Sequence, residues 1–153
     1  MTTPPQLNGW TTNDERTMAT LAHALQIVGS WIAPLIIFLI RRQSRFVAFH
    51  ALQALLLQIV HVIVVVLFVF GFFITMAFYI VPNADKHTQN FPVGLLVLFP
   101  LVWIVLAGLG IATLVIAIIY AIKAGQGEWA DYPVLGRLAR KMLKMAPTPG
   151  QPG

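Results

Sequence analysis

Cysteine is absent from this 153-residue chain. That excludes disulfides, thiolate metal sites and cysteine nucleophiles, and it leaves the redox compartment open. Charge is nearly as scarce: 10% of residues are charged, against about 25% in an average soluble domain. Five carboxylates, four histidines and two serines, Ser30 and Ser44, are few parts for a catalyst. No serine stands at a recognisable spacing from a histidine and an acid. Glu128 and Asp131 lie in a turn flanked by glycine and proline. No glycine loop is placed to cradle a phosphate, since Gly108 and Gly110 sit inside an apolar run. We therefore expect no catalytic residue, no metal site, no cofactor and no enzyme.

Apolar residues are what the chain has in abundance, at 58%. Residues 17–40 carry no formal charge, and residues 46–122 carry only Asp85 and Lys86. A soluble domain of this size needs a polar shell and cannot hide so much apolar surface. The fold class expected is an all-α integral membrane protein, with three transmembrane helices and a C-terminal interfacial amphipathic helix. Residues 1–13 read as a disordered polar tail, followed by a helical membrane domain over 14–133. Its spans are placed at 17–40, 46–81 and 92–122, each long enough for a hydrocarbon core of about 30 Å. Pro34 predicts a kink in the first span, because it cannot donate to the carbonyl of Ser30. The acids at Asp14 and Glu15 do not suit a secretory signal, so the first span is expected to be retained.

Charge sets the expected orientation. Arg41, Arg42 and Arg45 fill the first loop, and Lys123, Arg137, Arg140, Lys141 and Lys144 follow the last span. Three spans put both groups on one side, as the positive-inside rule requires. The N-terminus is then outside and the C-terminus cytoplasmic. Over 134–146, Val134, Leu135, Leu138, Met142 and Met145 share one sector of a helix. Arg137, Arg140, Lys141 and Lys144 share the opposite one. This is the pattern of a helix lying on an anionic leaflet, or docked on a partner. Arg41, Arg42, Arg45 and the four cations of that helix are the expected lipid-headgroup contacts. Residues 147–153 read as a disordered tail.

Polar residues inside lipid are costly, so their positions are informative. His23, Gln26 and Ser30 line one face of the first span, and His50, Gln53, Gln58 and His61 line one face of the second. A five-residue loop makes these spans antiparallel neighbours. The cluster either ties the spans together by hydrogen bonds or lines a wet path or substrate groove. A haem held by His23 and His61 is a further possibility. The third span has a small-residue face, with Gly110, Thr113, Ala117, Ala121 and Ala124 on one side and Gly108 nearby, suited to close helix packing. Trp10, Trp31, Trp103 and Trp129 fall near span ends as interfacial anchors.

Three stretches carry a resemblance. They are Leu21-Ala22-His23; Phe46-Val47-Ala48-Phe49-His50-Ala51-Leu52-Gln53-Ala54-Leu55 with Gln58; and Ala121-Ile122-Lys123-Ala124-Gly125-Gln126-Gly127-Glu128-Trp129 with Tyr132-Pro133. Across about 17–136 the chain resembles a Tic-like family of bacterial membrane proteins, related to the channel-like component of the chloroplast inner-envelope translocon. The resemblance implies a small helical bundle in a bacterial inner membrane and, by distant analogy, a role in protein translocation or a membrane complex. Leu56 and Leu57 depart from it, standing where family members often carry Asn and Phe. The plastid relative is usually drawn with four spans, against the three that the charges support.

The function expected is a non-enzymatic accessory or scaffold subunit of a larger membrane complex. The alternative is a channel-like or translocation-related homo-oligomer, and the third reading is a haem-carrying electron-transfer subunit. Partners expected are the bilayer, anionic lipids, and other membrane subunits or further copies of the chain, but no nucleic acid. A peptide covering 134–146 should bind anionic vesicles at low salt and lose most of that binding near 1 M salt, where the Debye length is about 3 Å. Salt-independent binding in a vesicle flotation assay would contradict the electrostatic part of this reading.

Overall fold

A computed structural model describes residues 11–83 and 93–145. Most of the expected N-terminal tail, the charged turn with Asp85 and Lys86, and the C-terminal tail lie outside the described residues. Within them every regular element is helical: α1 (Asn13–Ala24), α2 (Gln26–Gly29), α3 (Ile32–Arg41), α4 (Arg45–Asn83), α5 (Val93–Gly125) and α6 (Leu135–Met142).

Among the described residues two helices, not the three expected, are long and apolar enough to cross a membrane: Arg45–Ile80 within α4 and Leu96–Gly125 within α5. The expected first span is broken instead. Its helix ends at Leu25, and the four residues of α2 stop at Ser30, whose φ of 50° is incompatible with a continuing right-handed helix. The chain then restarts at Ile32, which puts Pro34 in the first turn of α3. First-turn amides have no intrahelical partner, so proline costs nothing there. The expected kink is thus replaced by a complete break.

The chain divides into two compact units, Met1–Ile59 with Leu114–Gly153, and Val60–Thr113. In the second unit, Phe72 meets Phe73 edge-on and Phe99 at a tilt, and Phe99 meets Trp103 edge-on. Val66, Leu67, Phe70, Phe73, Ile104 and Val105 are exposed, as lipid-facing side chains must be. His61 is here too, its Nδ1 lying 2.9 Å from the hydroxyl of Thr113. That hydroxyl donates to the carbonyl of Leu109, so His61 donates to it.

The first unit holds the core. Residues 46–55 of α4 are buried without interruption. Phe49, Leu52 and Leu55 pack with Ala139 of α6, and Phe46 packs with Ala19 of α1 and Ala124 of α5. A run buried all round needs neighbours on every side, and α1, α5, α6 and the segment between α5 and α6 supply them. α1 starts with a full capping box: Thr12 Oγ1 accepts from the Glu15 amide, and Glu15 accepts from the Thr12 amide. The same carboxylate accepts a 2.7 Å hydrogen bond from Ser44, just before α4. Asp14 pairs with Arg41 at 3.0 Å.

The Ser44 hydroxyl, followed by the Thr12 amide, holds the Glu15 carboxyl below the ordinary glutamate range. A lowered value in the fold means that Glu15 stabilises this corner above the ordinary range, and that the contribution disappears as pH falls through the lowered value. In Ser44→Ala the Glu15 titration should move up towards an ordinary carboxyl, and amide exchange at the start of α1 should accelerate at a higher pH than in the parent. A titration curve by NMR that does not move would show that Ser44 is not the cause.

Candidate functional site

The described residues contain one buried polar cluster, in the first unit. It is built from α1, α4 and the segment that joins α5 to α6. α5 ends in a Schellman motif: the Gly127 amide donates to the Ala124 carbonyl and the Glu128 amide to the Lys123 carbonyl, with Gly127 at φ 80°. A side chain at 127 would be strained by that φ and would meet Thr11 and Arg16. The chain therefore leaves α5 at a fixed angle and passes along α4 as the segment 128–133.

Two α4 side chains three residues apart grip the backbone of that segment. His50 Nε2 lies 3.0 Å from the Glu128 carbonyl, Gln53 Nε2 donates to the Ala130 carbonyl at 3.2 Å, and the Tyr132 amide donates to Gln53 Oε1 at 2.6 Å. Gln53 is wholly buried and uses its amide as a neighbouring strand uses a peptide group. Tyr120 adds a fourth tie, its hydroxyl donating to the Asp131 carbonyl.

The histidines extend the cluster into α1. His23 Nε2 lies 3.1 Å from His50 Nδ1, and the Tyr132 hydroxyl lies 2.9 Å from His23 Nδ1. Both rings are fully buried. The carbonyl at one end fixes every proton in the chain. Glu128 only accepts, so His50 Nε2 donates and its Nδ1 accepts; His23 Nε2 must then donate and its Nδ1 accept, and Tyr132 donates to it. Two neutral imidazoles and one phenol thus form a directed chain with no unused ring nitrogen. Burial pushes the Tyr132 hydroxyl above the ordinary tyrosine range, keeping it the donor this chain needs.

Arg140 closes the far side. Its Nε and Nη2 meet the two Asp131 oxygens at 2.8 and 3.1 Å, and its guanidinium lies 4.5 Å from the centre of the Phe49 ring. Both partners are nearly buried, at 10% and 6% side-chain exposure. Leaving either alone would strand a charge out of water. Gly136 allows the approach, because a Cβ there would come within 2.9 Å of the Asp131 backbone.

The other expected site residues fall as follows. Gln58 donates to the Gln26 carbonyl at 2.9 Å, tying α4 to α2, while the Gln26 side chain is buried and acts on the Tyr132 hydroxyl. Ser30 ends α2, away from the histidine chain. His23 meets His50, not His61, which lies in the second unit with Thr113 and does not join the cluster. Of the small-residue face, Ala117 and Ala124 are buried within the first unit, and the Ala121 carbonyl accepts from Thr20. Cβ atoms at Gly108 and Gly110 would meet open space. Arg41, Arg42, Arg45, Arg137, Lys141 and Lys144 are exposed, but Arg140 is not. Its place on the helix groups it with them, and Asp131, nine residues earlier, draws it inward. Correspondingly α6 buries Gly136, Ala139 and Arg140 while leaving Leu138 and Met142 outside. Sequence reasoning missed Tyr132 and Asp131 as members of the cluster; the Tyr-Pro pair after a glycine C-cap was the available signal. Among the described residues no three His, Asp or Glu side chains gather as a metal site.

A family model for the magnetosome magnetite crystal formation proteins, MamF/MmsF, matches residues 14–139. The chain belongs to this family. The match covers both apolar spans and the buried cluster up to but not including Arg140, and it replaces the Tic-like assignment suggested by the His50, Gln53 and Gly127 motifs. No curated protein and no solved structure matches the chain. The chain is therefore a membrane protein of a magnetosome family, with two apolar helices of spanning length among the described residues.

Removing one member of a satisfied buried network leaves its partner bare, at a cost of about 1–3 kcal/mol. Tyr132→Phe, which strips His23 Nδ1 of its donor, should destabilise the detergent-solubilised protein by that amount. Thermal unfolding followed by circular dichroism measures the loss; a Tyr132→Phe variant as stable as the parent would contradict this account of the cluster.

Proposed function

We propose that this protein is a non-enzymatic accessory component of the magnetosome membrane, supporting magnetite crystal formation as a rigidly built membrane element and not as a catalyst. The observation that carries this reading is the closed hydrogen-bond chain from Tyr132 through His23 and His50 to the Glu128 carbonyl. It occupies the most chemically capable side chains in the described residues and ends on a peptide carbonyl, which cannot take up a proton and pass it on. A relay or a general base needs a group able to do so. The family match supports a place in crystal formation.

The exposed cations support contact with anionic headgroups on the cytoplasmic face of a bacterial membrane. Arg41, Arg42 and Arg45 flank the start of α4, and Arg137, Lys141 and Lys144 line α6 beside the outward-facing Leu138 and Met142. Apolar and basic residues side by side on an outward face suit an anionic leaflet. Partner subunits, if the protein works within a larger complex, would meet its remaining membrane surface.

Produced in a magnetite-forming cell that lacks the protein, Tyr132→Phe is expected to reduce membrane abundance and crystal formation together. A loss of 1–2 kcal/mol changes abundance about several-fold, and overproducing the variant should restore the crystals. Normal abundance of a folded variant with crystal formation lost would place chemistry at the hydroxyl and overturn the non-enzymatic reading.

A further inference from the structure

The break at Ser30 changes the course of the chain through the membrane. α1 has 12 residues and α3 has 10, so they rise about 18 and 15 Å. Neither crosses a hydrocarbon core of about 30 Å, but each reaches its middle. Their contacts show that they run out and back. Glu15 near the start of α1 bonds Ser44, and Asp14 pairs with Arg41 at the end of α3. Further along, His23 is level with His50, and the Gln26 carbonyl meets Gln58. α1 therefore ascends beside the first turns of α4, and α3 returns to the level from which α1 began.

We propose that residues 13–45 form a re-entrant hairpin seated in the leaflet on the arginine-rich side, so that the chain enters and leaves on that one face. The occupant of its outer surface is the acyl chains of that leaflet. Leu25, Val28, Ile32, Ile36, Leu39 and Ile40 are all exposed, Val28 at 90%. They run from the tip down to Arg41, where charge resumes. The polar mouth, with Asp14, Glu15, Arg41 and Ser44 joined across it, fits the headgroup region, and its ion pair remains exposed to water. With two spans following, the start of α1 shares a side with the cations of α6. This reverses the orientation that a three-span reading gives the N-terminus, and it still places every basic cluster on one side as the charge rule requires.

The natural absence of cysteine makes the test direct. Single variants Asn13→Cys, Gln43→Cys and Lys144→Cys, in sealed vesicles of known orientation, would be exposed to a membrane-impermeant maleimide. All three should label from the same side. Thr17→Cys serves the same purpose should Asn13→Cys fail to fold. Labelling of position 13 or 17 from the side opposite position 43 would overturn the hairpin. A spin label at Val28→Cys then identifies the occupant: relaxation by oxygen with little effect of a water-soluble nickel complex is expected in acyl chains. Strong relaxation by the nickel complex, or by neither reagent as in a protein contact, would overturn the seating in lipid.

Discussion

The grip of α4 on the backbone of residues 128–132 is the interaction on which the first unit depends. An irregular segment beside a buried helix carries peptide groups that must find partners away from water. His50 and Gln53 provide them, and so turn a connection into part of the core. Without that pairing, Tyr132 would not be presented to His23, nor Asp131 to Arg140. α1 and α6 would each lose the buried polar contact that fixes its position.

Close packing has to accommodate that grip, and three glycines permit it in different ways. Gly127 supplies the left-handed turn that ends α5. Gly125 leaves room for the Thr20 hydroxyl, 3.2 Å from where its Cβ would be, and Gly136 lets α6 approach Asp131. A buried ion pair is a poor source of net stability compared with apolar packing. Its value at Arg140 is therefore positional: it holds α6 where the guanidinium meets both Asp131 and the Phe49 ring.

Membrane class and helical content were legible because charge depletion over 46–122 leaves no other class open. His23, His50 and Gln53 were legible as buried polar residues for the same reason, but the group drawn from the sequence also took in Ser30 and His61, which stand apart from them. Their pairing was not. Counting residues outward from the first loop sets His23 level with His61, on the assumption of one unbroken first span; the break at Ser30 and the parallel course of α1 along α4 set it level with His50 instead. Helical periodicity likewise puts Arg140 among the exposed cations, since a wheel holds no information about Asp131 outside the helix. The motifs that suggest a Tic-like family include members of the grip itself: His23, His50, Gln53, Gly127 and Tyr132. They describe how the unit is held together and carry no statement of role, which is why the family match corrects that assignment without disturbing the fold class.

The anchoring on α4 has a consequence for how such a chain can drift over time. His50 and Gln53 hold peptide groups, not side chains, so the grip is blind to what residues 128 and 130 are. Glu128 and Ala130 can be exchanged for many others while the same carbonyls are presented. Gln53 has no such latitude: a glutamate would still accept from the Tyr132 amide but would set a charged oxygen against the Ala130 carbonyl. Tolerance is thus divided unequally across a single contact, with the helix constrained and the segment opposite it at liberty to vary.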